Sequence, residues 1–499
     1  MYYSNFTAPI FLFLFLPCVL AAYFGVYMVF TRLAPQKIAN LALNLVLLVA
    51  SIAFYADGER KYTLIMLFSI AFNYVMGLII DASPTQLVRK FTFTAGVAVN
   101  LGLLVVFKYA DFLVVNLDHL LTLGKGYPVP LPRLHLPIGI SFFTFHALSY
   151  VTDVYRREVK PMRRLDSFAL YITLFPQLIA GPIIRYKIIC DQFNNRQMTL
   201  DGFAEGVRRF VIGLGKKLII ADTVAYAAEQ IFSAKNPTLL TPGVAWLGLI
   251  CYTLQIYFDF SGYSDMAIGM GRMFGFVFPE NFNYPYISQS ITEFWRRWHI
   301  TLSSWFRDYL YIPMGGNRVP PWQVYFNLMT VFFLCGLWHG ATWSFVVWGM
   351  FHGSFLIIER VGWGKMLERM PRVIRHVYTL LVVMIGWVFF NARDLSHAII
   401  YLKVMFGLVS GTGLEYSVGL YMNSALALAI AAGIIGSMPV IPWIKNAWAQ
   451  GLPRREGLSL VLWEAGGRLA GVVLSMGVFL ASAMMAAHGS YSPFIYYRF

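Results

Sequence analysis

Long apolar runs separated by short polar loops recur along the whole chain. A helix that spans a membrane needs about 20 mostly apolar residues. The runs that approach this length are 9–30, 39–56, 62–80, 91–113, 136–151, 168–184, 208–230, 242–258, 322–337, 341–358, 378–391, 398–411, 422–443 and 468–487. Because several are short or contain Pro and Gly, the pattern predicts about 11 to 13 transmembrane helices, together with re-entrant or interfacial helices.

Composition indicates a membrane protein rather than a soluble one. Of the 499 residues, 58% are hydrophobic and 13% are charged, whereas soluble domains carry about 25% charged residues. Aromatic residues reach 17%, which fits belts at the two membrane–water interfaces. We find neither an internal repeat nor a low-complexity linker, so the simplest prediction is one all-α polytopic membrane domain covering residues 1–499.

The net charge of +15 is explained by basic loops on the cytoplasmic side. The loop at 31–38 contains Arg32 and Lys37 without an acid, and the loop at 152–167 contains five basic residues. Placing these loops and 81–90 in the cytoplasm predicts an N-terminus outside the cell. Lipid contacts are expected and nucleic-acid binding is not, because no basic run with interleaved aromatic residues lies outside the apolar framework.

Two stretches interrupt the apolar pattern before residue 230. Phe175-Pro-Gln-Leu-Ile-Ala-Gly-Pro182 contains helix breakers, and the backbone groups they free are tolerated at membrane depth only inside protein or beside water. A plain kink explains it equally well. Lys216 and Lys217 lie in another apolar run, and Asp222 does not share a clean α-helical face with either. Snorkelling from a short helix end is the preferred interpretation for at least one of them.

Neither the acidic pair that follows nor the cysteines indicate a metal site. Asp259 and Asp265 flank Gly262 without a nearby histidine, which is a poor ligand set, so we assign no metal and expect a hydrogen-bonded turn. The four cysteines are widely spaced, which favours buried thiols over a metal site.

The first candidate histidine lies in a segment that resembles one helix. Ser290-Ile-Thr-Glu293 forms a capping box, and the helix is predicted to continue to about Tyr311. Spacing then places Trp295, His299, Leu302 and Phe306 on one face. On this segment alone His299 is better explained as a core histidine. Arg296 and Arg297 are better explained as interfacial anchors than as phosphate ligands.

The second candidate, His339, lies in the middle of a charge-free stretch. Residues 319–358 contain no charged side chain and suffice for two spans of about 20 residues each. His339 stands between Gly336 and Gly340, which indicates either a hairpin tip or two short helices that meet beside a cavity. A buried neutral imidazole in such a place can act as a general base. A merely interfacial histidine is an equally good explanation.

Five motifs in order resemble the membrane-bound O-acyltransferases (MBOAT), most closely the bacterial branch that O-acetylates alginate and other exopolysaccharides. They lie at 175–182, 215–222, 258–265, 293–299 and 337–343, and the stretches 11–17 and 492–499 also look like that branch. No His-Glu-x-x-His or Gly-x-Ser-x-Gly motif points to a hydrolase instead. The resemblance covers nearly the whole chain.

The resemblance implies a fold of many helices around a central funnel and an acyl transfer in the segment at about 281–353. His339 matches the family's catalytic histidine, and His299 matches its second active-site position. The implied donor is an acyl thioester on the cytoplasmic side, acetyl-CoA or an acyl carrier, with no bound cofactor. The implied acceptor is a polysaccharide or a periplasmic acetyltransferase partner, at the bacterial cytoplasmic membrane. Further funnel candidates are Trp298, Arg296, Arg297, Trp338, Trp343, Asp259 and Asp265.

Trp338 and Trp343, or backbone N–H groups near Gly340, are the candidates for stabilising an oxyanion.

Three alternatives to exopolysaccharide O-acetylation stay open at this point. One is D-alanyl transfer from a carrier protein toward teichoic acid. Another is a transporter, which predicts inverted repeats that the sequence does not show. The third is a family member that acylates a protein.

Overall fold

The computed structural model describes residues 5–122, 134–409, 416–450, 458–488 and 494, and within these ranges the chain forms helices and no β-strand. The α-helices are α1 Leu16–Leu33, α2 Gln36–Glu59, α3 Thr63–Ala82, α4 Gln86–Leu104, α5 Ala110–Thr122, α6 Ile140–Tyr155, α7 Leu165–Thr173, α8 Phe175–Leu178, α9 Tyr186–Ile189, α10 Gln192–Asn195, α11 Leu200–Gly215, α12 Asp222–Phe232, α13 Pro242–Met273, α14 Ile291–Arg297, α15 Ile300–Phe306, α16 Pro321–His339, α17 Trp343–Ile358, α18 Gly364–Arg369, α19 Arg372–Asn391, α20 Leu395–Met405, α21 Val418–Tyr421, α22 Ser424–Gly436, α23 Val440–Gln450 and α24 Leu458–Ala487. Five π-helical segments lie at Phe11–Phe15, Val105–Tyr109, Lys216–Ala221, Arg307–Tyr311 and Glu359–Trp363, and 3₁₀ turns at Arg60–Tyr62, Pro237–Leu239 and Pro285–Ile287.

This is an all-α polytopic membrane protein. Among the described residues, 7 helices are long and apolar enough to cross a membrane, or 8 if α22 and α23, which meet at 58°, form one broken span. The count is lower than the predicted 11 to 13 for two reasons. Gln36–Ala82 counts once, although a left-handed Arg60 (φ 25°) divides it into α2 and α3. In addition, α6 is only 16 residues long, too short to cross alone, and the continuous helix formed by α11, Lys216–Ala221 and α12 carries Lys216, Lys217 and Asp222 in its middle, too many charges for an apolar span.

The longest helix, α13, packs against α11 and α12 along its length. Glycines make this contact: a Cβ added to Gly213 would lie 2.5 Å from the carbonyl oxygen of Gly262, and one added to Gly269 would lie 2.6 Å from that of Gly206. Small residues at such spacing let helix backbones approach closely in a membrane. The turn predicted between Asp259 and Asp265 is therefore wrong, because Gly262 serves packing inside a continuous helix.

The break between α7 and α9 lies inside the protein. Its freed backbone donors bond to side chains from other elements: Phe175 N to Ser51 Oγ (3.1 Å), Ile183 N to Thr301 Oγ1 (3.0 Å) and Ile184 N to His146 Nε2 (3.3 Å). All three donors are buried. The break thus meets the requirement that irregular backbone at this depth be satisfied within the protein, and Thr301 connects it to the His299 segment.

Both lysines are paired with carboxylates. Snorkelling is wrong for Lys217, which is buried, and stays a prediction for Lys216, whose side chain is 24% exposed. Lys217 Nζ lies 2.7 Å from Asp222 Oδ1 and 3.1 Å from Asp259 Oδ1. Lys216 Nζ lies 2.7 Å from Asp265 Oδ2. The π-helical segment Lys216–Ala221 explains the first pair, because a π turn brings residues five apart together where an α-helix does not. Asp259 and Asp265 therefore bind α13 to the π-helical segment Lys216–Ala221 through ion pairs.

Candidate active site

His339 is the last residue of α16, at the tip of a helical hairpin formed with α17. The two helices touch through their backbones: a Cβ on Gly336 would collide with the carbonyl oxygen of Phe345, and one on Gly349 with that of Phe332. After His339, an extended Gly340 (φ −169°) turns the chain toward α17. Of the two arrangements expected for this stretch, the structure has the hairpin.

Aromatic rings surround the His339 imidazole, whose residue is only 3% exposed. Its ring centroid lies 4.9 Å from that of Trp338, 4.9 Å from that of Trp348 and 5.1 Å from that of Phe390. Such an environment disfavours a charged imidazolium and favours the neutral base. His299 and Lys108 are ionisable groups near enough to interact electrostatically with His339.

His299 is not in the middle of a helix, as the sequence predicts, but at a break between α14 and α15. Its backbone is left-handed (φ 44°, ψ 53°) and it is fully buried. The cause is a pairing with the preceding loop: Asn283 N donates to Arg297 O (3.0 Å) and Ile300 N donates to Asn281 O (2.9 Å). These bonds hold the chain out of the helical path, so the shared face predicted from helical spacing does not form.

The side chain of Asn281 fixes the His299 ring. Its Oδ1 accepts from Thr301 N (3.3 Å) and Thr301 Oγ1 (2.9 Å) and lies 3.0 Å from His299 Nδ1, while its Nδ2 donates to Ser264 Oγ (3.0 Å). Asn281 Oδ1 accepts the Thr301 N–H, so it is the carbonyl oxygen of the amide and has no proton to donate. The hydrogen bond to His299 must therefore come from the ring, which carries its proton on Nδ1. Nε2 is then the nitrogen with a lone pair.

The capping box at the start of α14 is confirmed with one change. Ser290 Oγ accepts from Glu293 N (3.0 Å), but the Glu293 carboxylate accepts from Gln289 N (2.9 Å) rather than from Ser290. A second carboxylate, Glu359, accepts from Ile291 N (2.6 Å) and Thr292 N (2.9 Å). It is buried and satisfies first-turn donors that a helix leaves unpaired.

Of the other predicted residues, Trp338 and Trp298 pack within the aromatic core beside the histidines. The Trp338 ring lies 6.2 Å from His299 and 4.9 Å from His339, centroid to centroid. Trp298 is buried against Trp387 (4.9 Å). Both tryptophans therefore shape the space around the two histidines.

Arg296, Arg297 and Trp343 are held apart from this core. Arg296 is exposed. Arg297 pairs with Glu293 (2.9 Å) and donates to Asn283 O (3.0 Å), so it supports the loop beside His299. Trp343 is 53% exposed and its indole N–H donates to Asn116 Oδ1 (2.9 Å), which argues against an oxyanion role. Asp259 and Asp265 bind lysines, as described above.

Sequence reasoning missed Lys108, Asn281 and Glu359, all of which touch the histidine segments. The sequence did contain a signal for Lys108. It is a cation that follows the uncharged run 91–107, and a charged residue inside a membrane segment indicates a functional site. The sequence contained no signal for Asn281 or Glu359. The partners of Asn281 are 17 to 20 residues away, and Glu359 binds mainly backbone N–H groups, which no sequence motif reveals.

Comparison with known families agrees with the motifs. Residues 19–392 match MBOAT, the membrane-bound O-acyltransferase family. The chain belongs to this family. It is therefore an O-acyltransferase. The matched residues include both His299 and His339.

The similar proteins are bacterial. The probable alginate O-acetylase AlgI of Azotobacter vinelandii is 41% identical over 99% of this chain and 100% of its own length. The protein of the same name from Pseudomonas aeruginosa is 47% identical over 80% of this chain and 74% of its own length. The peptidoglycan O-acetyltransferase of Helicobacter pylori is 38% identical over 81% of this chain and 80% of its own length.

A teichoic acid D-alanyltransferase of Bacillus subtilis is more distant, at 28% identity over 56% of this chain and 76% of its own length.

Of the terminal stretches that carry the resemblance, 492–499 lies outside the described residues apart from Phe494, whose ring stacks on Tyr263 at 4.6 Å.

Proposed function

We propose that the protein transfers acetyl groups from a cytoplasmic thioester to an exopolysaccharide of the alginate or cellulose type, with His339 as general base. The observation that carries this proposal is the placement of His339. It lies at the tip of a hairpin, in an aromatic enclosure beside a second histidine, within a chain whose relatives are named for polymer O-acetylation.

In the proposed reaction His339 accepts the proton of the acceptor hydroxyl as its oxygen attacks the thioester carbonyl carbon. The new C–O bond forms and the C–S bond breaks. The proton then passes from His339 to the thiolate, which leaves as a thiol. No covalent acyl-enzyme is required, and general-base assistance of this kind contributes about 10²–10⁴-fold.

His299 has a supporting role in this scheme. With the proton on Nδ1 and bound to Asn281, Nε2 can accept a hydrogen bond from a second hydroxyl of the acceptor, next to the one that reacts, and so orient the acceptor. The Trp338 ring packs near both imidazoles and limits their movement. Preorganised groups of this kind act by fixing the reacting atoms in place.

The thioester, acetyl-CoA or an acyl carrier, is proposed to enter from the cytoplasm, and the acceptor from outside. A periplasmic acetyltransferase that completes delivery to the polymer is a proposed partner, as is an inner-membrane location. Relatives that are named for O-acetylation of two different polymers support an acceptor on the outer side.

The test measures polymer O-acetyl content in cells that lack the chromosomal copy, complemented with variants at matched membrane abundance. We expect His339→Ala to abolish acetylation and His299→Ala to reduce it less. His376→Ala is the control, because His376 contacts Ser288 O (3.3 Å) away from the two catalytic candidates, and we expect it to be near wild type. Normal acetylation in His339→Ala would overturn the mechanism. Unchanged polymers in the deletion strain would favour D-alanyl transfer.

A further inference from the structure

Lys108 is a charged residue inside a membrane span and lies against the helix that ends in His339. It belongs to the π-helical segment Val105–Tyr109, within the apolar span Gln86–Leu121. Its ammonium group donates to the carbonyl oxygen of Trp338 and to Ser141 Oγ (3.3 Å), and lies 5.7 Å from the centre of the Trp338 ring. A charge at this depth is costly and is rarely kept without a function.

The next residue bonds to the same helix end. The Tyr109 hydroxyl donates to the carbonyl oxygen of Leu337 (2.9 Å). Lys108 and Tyr109 therefore bind two successive carbonyls immediately before His339. These carbonyls lie at the C-terminus of α16, where the helix dipole is negative and a cation is favoured. Both residues restrain the end of α16, but only Lys108 brings a charge.

We propose that Lys108 is a positioning residue for acetyl transfer, whose ammonium group fixes the last turn of α16 and keeps a positive charge beside His339. A neighbouring cation opposes protonation of the imidazole, so the base stays neutral until the acceptor hydroxyl arrives. It also favours release of the proton to the thiolate after the C–S bond breaks. This inference rests on the proposed function, because it assumes that His339 acts as the base.

Lys108, His299 and His352 are ionisable side chains close to His339. Lys108 and His299 are near enough to interact with it electrostatically. His352 contacts the Trp348 ring, whose centroid lies 5.3 Å from that of His352 and 4.9 Å from that of His339. With His299 bonded to Asn281 in its neutral form, the charge of this group of residues is carried by protonated Lys108, whose Nζ donates to the carbonyl oxygen of Trp338, the residue before His339. Removing it changes the electrostatic environment of His339 without touching the ring.

The experiment compares three variants in proteoliposomes: Lys108→Gln, Lys108→Arg and Tyr109→Phe. Gln keeps an N–H donor for the Trp338 carbonyl and loses the charge, whereas Arg keeps both. Phe loses one carbonyl bond and keeps the charge. Initial rates of free-thiol release from acetyl-CoA are measured with alginate oligosaccharide between pH 5.5 and 9, and the His339→Ala rate is subtracted.

We expect Lys108→Gln to lower the rate at neutral pH about tenfold and to move the acid limb of the pH–rate profile upward by about one unit, the size of effect that a nearby charge has. Lys108→Arg should restore the profile, and Tyr109→Phe should leave its position unchanged. If Lys108→Gln and Tyr109→Phe lose rate alike and neither moves the profile, the lysine is only a structural anchor and the inference is wrong. Turnover in wild-type protein that does not depend on His339 would instead overturn the proposed function itself.

Discussion

The side-chain amide of Asn281 connects three side chains and one backbone N–H group around His299. It accepts from Thr301 N and Oγ1, lies against His299 Nδ1, and donates to Ser264. We expect Asn281→Ala to lower the acetyl-transfer rate about tenfold to a hundredfold, because the polar partners left behind lose about 1–3 kcal/mol of bonding and His299 loses its fixed orientation. Polymer O-acetyl content at matched abundance measures this.

Ser264→Ala is the matched control for Asn281. It removes the bond to Asn281 Nδ2 alone and leaves the contacts of Asn281 Oδ1 in place. We expect at most a few-fold loss of rate from this change. Wild-type activity in Asn281→Ala would show that the orientation of His299 does not matter to the reaction.

Single residues also show what the sequence could and could not reveal. The place of His339 within a charge-free run between two glycines predicts a break between two helices, and the structure has a hairpin there, whereas its catalytic role is implied only by the family resemblance. The conformation of His299 is not identifiable, because its left-handed backbone follows from pairing with Asn281 and Asn283. Ordinary helix-forming residues flank it, so nothing local predicts the break.

Among the helices, α14 depends on a carboxylate from another element. Glu359 receives three hydrogen bonds from the first turn of α14, at Ile291 N, Thr292 N and Thr292 Oγ1. We expect Glu359→Gln to lower the free energy of unfolding by about 1–3 kcal/mol, since an amide is a weaker acceptor there and loses the favourable charge at a helix N-terminus. Thermal unfolding in detergent measures this.

Glu368→Gln controls for the loss of a carboxylate alone. Glu368 is exposed on α18, where such a change typically stays within about 0.5 kcal/mol. Equal melting temperatures for the two variants would mean that the Glu359 bonds do not stabilise α14.

The contact between α11 and α13 gives a second prediction at this scale. A methyl group on Gly213 would meet the carbonyl oxygen of Gly262 at 2.5 Å. We expect Gly213→Ala to destabilise the protein by about 1–3 kcal/mol, because the two backbones must separate. Gly471→Ala is the control, since no atom lies within 4 Å of the added methyl group. A Gly213→Ala protein with the wild-type melting temperature would contradict this packing.

The same glycines explain where element prediction failed. Sequence reasoning ended a span at 258 and expected a turn, whereas α13 continues to Met273. Gly262 and Gly269 look like breakers in the sequence and are packing surfaces in the structure. Likewise, Lys217 and Asp222 are misaligned on an α-helix and meet across a π-helical segment. Both errors arise from contacts between helices, which periodicity within one helix does not report.

At the scale of the molecule, elements from distant parts of the chain meet at the two histidines. Lys108 comes from the π-helical segment after α4, Ser264 from α13, and Glu359 from the segment after α17. The histidines themselves belong to the segment at about 281–353, which stays the predicted catalytic segment. The motif-bearing segment thus carries both candidate catalytic histidines, while other helices supply the side chains that bond to it.

The orientation of this assembly in the membrane decides which side supplies the thioester, and it gives the last prediction. The basic loop at 152–167 should face the cytoplasm, and the loop at 57–61 the outside. Arg163 and Lys61 are exposed in these loops, so each is replaced by Cys in a protein whose four native cysteines are Ala. We expect a membrane-impermeant maleimide to label Lys61→Cys in intact spheroplasts and Arg163→Cys only after permeabilisation. The reverse pattern would place the N-terminus in the cytoplasm, and the thioester would then have to reach His339 from the side opposite to the one proposed.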